Sequence, residues 1–232
     1  MTALLASVRS AQEALDAAGA GADLIDLKEP LDGALGGVSP DNIWRIARTL
    51  RSRYPVKPVS ATIGDLPSDA LDAIAARVIE VADAGVDFVK VGVTPGPDAR
   101  ACLARVAGLR AVVLPVLLCD EGVEASLVEY AATLGFEGIV FDTAGKTGRT
   151  LFDCIDIGTL ARYLATIRAS GAMACIAGSL GWPQLGGIRA LAPDVAGFRT
   201  ALCENGRTSR LDPRRVAQWA DALHHAAPSA AA

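Results

Sequence analysis

Ala84-Gly85-Val86-Asp87-Phe88-Val89-Lys90-Val91-Gly92 holds the organisation of the chain in one stretch. An amphipathic segment near Asp69–Ala84 stops at Gly85, where glycine supplies a left-handed helix cap. An apolar, β-branched run near Phe88–Val91 then reads as a strand. The same joint recurs at Ala20-Gly21-Ala22-Asp23 and Leu134-Gly135-Phe136-Glu137. Working outward, strands are expected near Leu4–Val8, Leu24–Leu27, Val59–Ile63, Phe88–Val91, Val112–Leu118, Gly138–Phe141, Ala174–Ala177 and Val195–Phe198. Helical patterns lie between them, near Ser10–Ala20, Asp41–Tyr54, Asp69–Ala84, Pro97–Leu109, Val123–Leu134, Asp156–Ser170 and Pro183–Leu191. A last one runs from about Asp212 to His225, and Ser39-Pro40-Asp41 and Asp212-Pro213 are start signals.

Strands separated by helices need parallel pairing and right-handed crossovers. Eight such units predict an α/β fold, a single (β/α)8 TIM barrel over residues 1–225. A doubly wound sheet competes, but Ser7-Val8-Arg9-Ser10 stands where its Gly-x-Gly-x-x-Gly turn belongs. The Ala-rich terminus, 226–232, is expected to be a disordered tail.

With 232 residues, 51% of them hydrophobic, the chain can bury a large core. The net charge of −4, a pI near 5.2 and the absence of a basic, aromatic-rich cluster argue against a nucleic-acid partner. No apolar stretch approaches the roughly 18 residues of a membrane span, and the N-terminus lacks signal-peptide character. The five scattered cysteines form no Cys-x-x-Cys pair, so neither a zinc site nor a disulfide framework is signalled, and a reducing cytoplasm suits them. The two histidines are adjacent near the C-terminus, which leaves proton transfer to Lys, Asp, Glu, Tyr, Ser or Cys. So apolar a barrel is open to homo-oligomerisation.

Only four of the 22 basic residues are lysines: Lys28, Lys57, Lys90 and Lys146. Arginine stays charged, whereas a buried lysine can lose its proton and become a nucleophile. Asp26 and Lys28 end strand two on one face, roughly 6–7 Å apart by strand rise. They read either as a carboxylate and amine entering a site together or as an ion pair closing the barrel mouth. Lys90 sits between valines, where burial disfavours the ammonium and favours imine or acid/base chemistry. A lysine snorkelling from an edge is the alternative.

Strand six ends in Asp142, followed by Thr143-Ala144-Gly145-Lys146-Thr147-Gly148. A phosphate-loop reading of Gly145-Lys146-Thr147 fails, because Val140 stands where that motif needs its first glycine. A loop carrying Lys146 over the mouth, oriented by Asp142, is an acid/base or phosphate contact on one reading and a surface lysine on the other. Gly178 and Ser179 after strand seven, with Gly197 and Arg199 at strand eight, stand where barrels bind phosphate. Turn formation is their plainer reading. Lys57 precedes strand three on the opposite rim and reads as structural, and Trp44, Trp182 and Trp219 read as helix packing. Together these residues point to a sugar-phosphate or small aldehyde-phosphate substrate.

The segments Leu24–Pro30, Gly33-Ala34-Leu35-Gly36, Val59–Asp65, Phe88–Gly92, Asp142–Lys146 and Ala177–Leu180 resemble (5-formylfuran-3-yl)methyl phosphate synthases, from about Leu4 to Cys203. The resemblance implies a (β/α)8 lyase of the carbon–oxygen class acting on phosphates. It would condense two molecules of glyceraldehyde 3-phosphate to a furan, with loss of phosphate and water, on the way to a methanofuran-type one-carbon carrier. It further implies Lys28 as Schiff-base residue, Lys90 as proton acceptor, Asp26, Asp142 and Lys146 as further active-site residues, and no metal or other cofactor. An imine-forming aldolase of the deoxyribose-phosphate type and a non-catalytic phosphate-binding barrel are the competing expectations.

Overall fold

The computed structural model describes residues 1–145 and 148–225. Eight parallel strands close into a barrel in chain order: β1 (Ala3–Val8), β2 (Leu24–Leu27), β3 (Val59–Thr62), β4 (Phe88–Val93), β5 (Val113–Leu118), β6 (Gly138–Asp142), β7 (Met173–Ile176) and β8 (Val195–Phe198). Around them run α1 (Ala11–Gly19), α2 (Pro40–Arg51), α3 (Leu71–Asp83), α4 (Ala99–Ala107), α5 (Ala125–Ala132), α6 (Leu151–Cys154), α7 (Ile157–Ala169), α8 (Leu185–Leu191) and α9 (Pro213–His224). The predicted barrel is the observed one. The single turn α6, and the 3-10 turns Trp182–Gln184 and Thr200–Leu202, are too short to show a period in sequence. The expected 226–232 tail and Lys146 lie outside the described residues.

Strand side chains alternate between two apolar populations, as a closed sheet demands. Leu4, Ala6, Val8, Ile25, Leu27, Val89, Val91, Ile139 and Phe141 join the sheath of core between strands and helices. Leu5, Leu114, Val116, Val140, Cys175 and Val195 fill the barrel interior. Lys90 therefore has its valine neighbours on the opposite face of β4. Chain adjacency did not describe its surroundings, because residues one apart on a strand face opposite ways.

The helix-to-strand joints do what their composition predicts. Gly21, Gly85 and Gly135 all have positive φ. The aspartate two residues after the first two of these glycines has a use that the sequence did not show. Asp23 accepts a hydrogen bond from the Leu4 amide at 2.7 Å and Asp87 from the Val59 amide at 2.8 Å. Asp194 treats Ala174 likewise at 2.8 Å. Each carboxylate takes an amide at the start of the preceding strand, its first or second, and so ties the N-terminal rim strand to strand. Lys57 belongs to that rim, donating to the Ala22 carbonyl at 2.7 Å.

Helix starts follow expectation in part. Asp212 caps α9 through the Arg214 amide, whereas Ser39 precedes Pro40 at the start of α2 without a side-chain capping bond. Trp219 is fully buried and stacks on half-exposed Trp182, their centroids 4.2 Å apart. Trp44 departs from its packing role. It is half exposed, with the Arg48 guanidinium 5.1 Å from its ring centroid, an arrangement worth little in water.

Candidate active site

At the C-terminal ends of the strands lies a cavity of about 500 Å³, counted to its open mouth. Asp26, Lys28, Lys90, Asp142, Gly178, Ser179, Gly197 and Arg199 all line it. Eight sequence-derived candidates from five strands or strand ends thus share one space. Lys146, the remaining candidate, falls outside the described residues.

The floor is a polar row set by strand register. Ser7 pairs with Asp26 and Asp26 with Ser60 across β1, β2 and β3. Their side chains therefore meet directly: the Ser7 and Ser60 hydroxyls donate to Asp26 Oδ2 and Oδ1 at 2.7 and 2.6 Å. Lys90 lies one inward position beyond Phe88, the partner of Ser60, and places its Nζ 3.3 Å from Asp26 Oδ1. Asp26 is wholly buried and Lys90 nearly so. Burial opposes ionisation of Asp26. The ammonium of Lys90, then that of Lys28, then the two hydroxyls outweigh burial, and hold its carboxyl below the usual carboxylate range.

Beneath this row the interior is apolar. Lys90 also borders a chamber walled by Leu5, Leu114, Val140, Cys175 and Val195. Desolvation pushes the Cys175 thiol up to about 12, so it is an inert filler beside the amine rather than a nucleophile. Above the row, Leu35 from the loop after β2 packs into the barrel top. A Cβ on Gly92 would come within 2.7 Å of Leu35 Cδ1, so a side chain there would make the tip of Leu35 shift.

The far wall is built at β6 and β7. Asp142 is buried and accepts a hydrogen bond from the Thr143 amide at 2.7 Å. Asp120, just past β5, accepts from the Ala144 and Gly145 amides, each at 2.6 Å. One carboxylate thereby pins the first residues of the loop that leads to Lys146. Gly178 and Ser179 both have positive φ, with Ser179 at 52°. A non-glycine residue in that region is strained and needs support from its surroundings.

Arg199 lines the cavity, yet its guanidinium turns inward to the protein. It meets Glu13 Oε2 at 2.6 Å and Oε1 at 3.3 Å, and donates to the carbonyls of Ser7, Arg207 and Ser209. Arg207, from the loop between β8 and α9, reaches the same cavity. Sequence reading missed Ser7, Ser60, Glu13, Asp120 and Arg207. Hydroxyls at inward positions of apolar strands could have marked the two serines. Nothing local marked the other three, whose roles come from contacts across the barrel.

By fold the chain is an α/β-barrel protein, and its cavity opens at the C-terminal ends of the strands, where enzymes of this fold carry their sites. It belongs to the 4-HFC-P synthase family, whose pattern matches residues 4–220. A Methylorubrum extorquens protein, provisionally named a (5-formylfuran-3-yl)methyl phosphate synthase, is 39% identical over 95% of this chain and 91% of its own length. The (5-formylfuran-3-yl)methyl phosphate synthase of Archaeoglobus fulgidus is 31% identical, covering 95% of this chain and 99% of that protein. Among solved structures, phosphoribosyl anthranilate isomerase from Thermus thermophilus superposes with a TM-score of 0.65 over 97% of this chain and 98% of that one, at 13% identity. A 3-hexulose-6-phosphate synthase does so at 0.59, over 96% and 98%, at 20% identity. These two likenesses show the fold. Among the described residues, no helix is long and apolar enough to cross a membrane.

Proposed function

We propose that this synthase joins two molecules of glyceraldehyde 3-phosphate into (5-formylfuran-3-yl)methyl phosphate, with loss of phosphate and water, through an imine on Lys28. The reading is supported most by one juxtaposition: Lys28 and Lys90 line a single cavity with the buried carboxylate of Asp26 between β1 and β3. An amine that attacks an aldehyde expels water and leaves an iminium. Asp26, held ionised, balances that charge as it balanced the ammonium.

The iminium acidifies the neighbouring carbon. Lys90, left uncharged after giving its own proton to the hydroxyl that departs as water in imine formation, takes the proton from that carbon, and the electron pair moves into an enamine. The enamine then expels phosphate from the next carbon. The terminal carbon of the three-carbon unit so formed adds to the middle carbon of the second triose, taken as its ketone isomer, since the product carries its phosphomethyl group on a carbon inside the ring. Ring closure onto the first triose's middle carbonyl, loss of two waters and hydrolysis of the imine then give the aromatic furan and free Lys28. Asp142, and Lys146 on the loop beyond it, serve as the acids that protonate departing hydroxyls. Gly178, Ser179 and Gly197 bound the phosphate end. In class the reaction is a carbon–oxygen lyase step acting on phosphates. It belongs in a reducing cytoplasm, which suits five free thiols.

Incubation with glyceraldehyde 3-phosphate alone tests the proposal. The expected result is a strongly ultraviolet-absorbing product, with inorganic phosphate released in proportion. Aldol products without an absorbing chromophore would instead indicate an ordinary imine aldolase. Binding without released phosphate would indicate a non-catalytic barrel.

A further inference from the structure

The two arginines at the β8 corner of the cavity have opposite electrostatic surroundings. The positive charge of Arg199 is met by Glu13 at 2.6 Å, with both side chains 8% exposed. Its remaining donors go to three carbonyls. Glu13 is committed too: it also accepts from the Arg9 and Leu211 amides. Freeing Arg199 for a ligand would leave Glu13 buried beside a vacated ion pair, a costly exchange.

Arg207 differs. Among the described residues, its guanidinium makes one hydrogen bond, from Nη2 to the Gly33 carbonyl at 2.8 Å, and no carboxylate lies within ion-pair distance. Asp142 and Asp65 act on it only at longer range. A planar guanidinium with donors to spare, bordering a cavity, is suited to a tetrahedral dianion. Its place is secured from both sides. Arg199 Nε holds the Arg207 carbonyl at 2.8 Å, and Gly33 holds the side chain. The wall it faces contains Gly178, Ser179, Gly197 and Thr200.

We infer that Arg207 is the cation that takes a substrate phosphate, and that Arg199 with Glu13 holds the loop presenting it. The inference rests on the phosphorylated aldehyde proposed above and names the side chain that selects it. Arg207 adds no bond to the reacting carbons, so it acts on affinity and on preference for phosphate over hydroxyl.

The test uses the full chain carrying Arg207→Gln, with Arg207→Lys as the conservative variant. Three quantities are read: KM for glyceraldehyde 3-phosphate, inhibition by inorganic phosphate, and the rate of borohydride trapping on phosphorylated against unphosphorylated glyceraldehyde. A charge-assisted contact is worth about 1.5–3 kcal/mol, or roughly 10- to 100-fold. Arg207→Gln is expected to raise KM and the phosphate inhibition constant by that factor. The trapping preference for the phosphorylated aldehyde should collapse, and lysine should restore part of it. Unchanged phosphate inhibition and preference in Arg207→Gln would overturn the assignment while leaving the condensation standing. A wild-type protein that shows neither preference nor phosphate inhibition would overturn the substrate reading itself. Circular dichroism melting distinguishes both from misfolding, since Arg207 makes a single side-chain bond at a loop.

Discussion

The Lys90 ammonium stands 3.3 Å from the Asp26 carboxylate with both side chains sealed from solvent, and Ser7 and Ser60 occupy the carboxylate's other sides. Asp26 therefore serves two amines at once, Lys90 from β4 and Lys28 just past the end of its own strand. A proton moving from either amine leaves or enters a field dominated by that one carboxylate.

Asp26→Asn should destabilise the protein by about 3 kcal/mol at pH 7, since it leaves a buried ammonium unmatched. The pH dependence has a definite sign. The folded-state carboxyl titrates below its ordinary 3.8, so its contribution is complete above that value. It is lost as pH falls from 3.8 towards the lower folded pKa. Denaturant unfolding at pH 7 and pH 3 should show the gap between wild type and variant shrinking in acid. A gap that widened in acid would refute the linkage.

Borohydride with glyceraldehyde 3-phosphate should inactivate the protein and leave a reduced adduct on Lys28, read by peptide mass. Lys28→Ala should lose the adduct and all turnover. An adduct confined to Lys90 would exchange the roles of the two lysines. Lys90→Arg keeps a cation beside Asp26 yet provides no neutral base, so furan formation should fall by at least about 100-fold while trapping at Lys28 persists.

Ser60→Ala removes one donor from a buried carboxylate, a loss of about 1.5–3 kcal/mol for a hydrogen bond to a charged group. Part of that loss should appear in kcat, with the acid limb of the pH–rate profile moved towards higher pH because the ionised form of Asp26 has lost support. Ser60→Thr, which retains the hydroxyl, should recover much of it. A pH profile identical to wild type would reduce Ser60 to packing.

Asp120 pins the amides of Ala144 and Gly145. Asp120→Ala should therefore slow release of phosphate and furan by about 10-fold or more, through misplacement of the loop that leads to Lys146. Formation of the Lys28 adduct, which needs no group from that loop, should continue at near the wild-type rate. Equal loss of both would point to global damage instead.

Breaking the Arg199–Glu13 pair should cost about 3–5 kcal/mol, as for buried pairs that lose one partner. Arg199→Met is expected to lower the melting temperature, with Glu13→Gln doing so less. A variant of normal stability with only a raised KM would mean that Arg199 itself touches substrate.

Much of the architecture could be read along the chain because barrel units are local. Joints such as Ala84-Gly85-Val86-Asp87, and apolar runs such as Phe88–Val91, record backbone geometry within a few residues of themselves. The lysines and aspartates at strand ends were legible for the same reason: strand ends are where such a fold opens. Lys90 was legible as buried, but its partner was not. Its valines lie on the other face, and the carboxylate that meets it arrives from β2. Arg199 was legible at the end of β8, but its counter-ion Glu13 was not, and Arg207 stands in a stretch with no helix or strand period to mark it.

Periodicity and glycine placement by themselves determined a closed eight-stranded barrel and which ends of its strands carry ionisable groups. Only the tertiary structure decided which charge answers which. Asp26 draws its hydroxyl donors from 19 and 34 residues away, and Arg199 draws its counter-ion from 186 residues away. Backbone conformation is settled by short-range sterics and hydrogen bonds. Charge pairing in a buried space depends on what closure of the sheet brings within a few ångströms, and no stretch of sequence holds that distance.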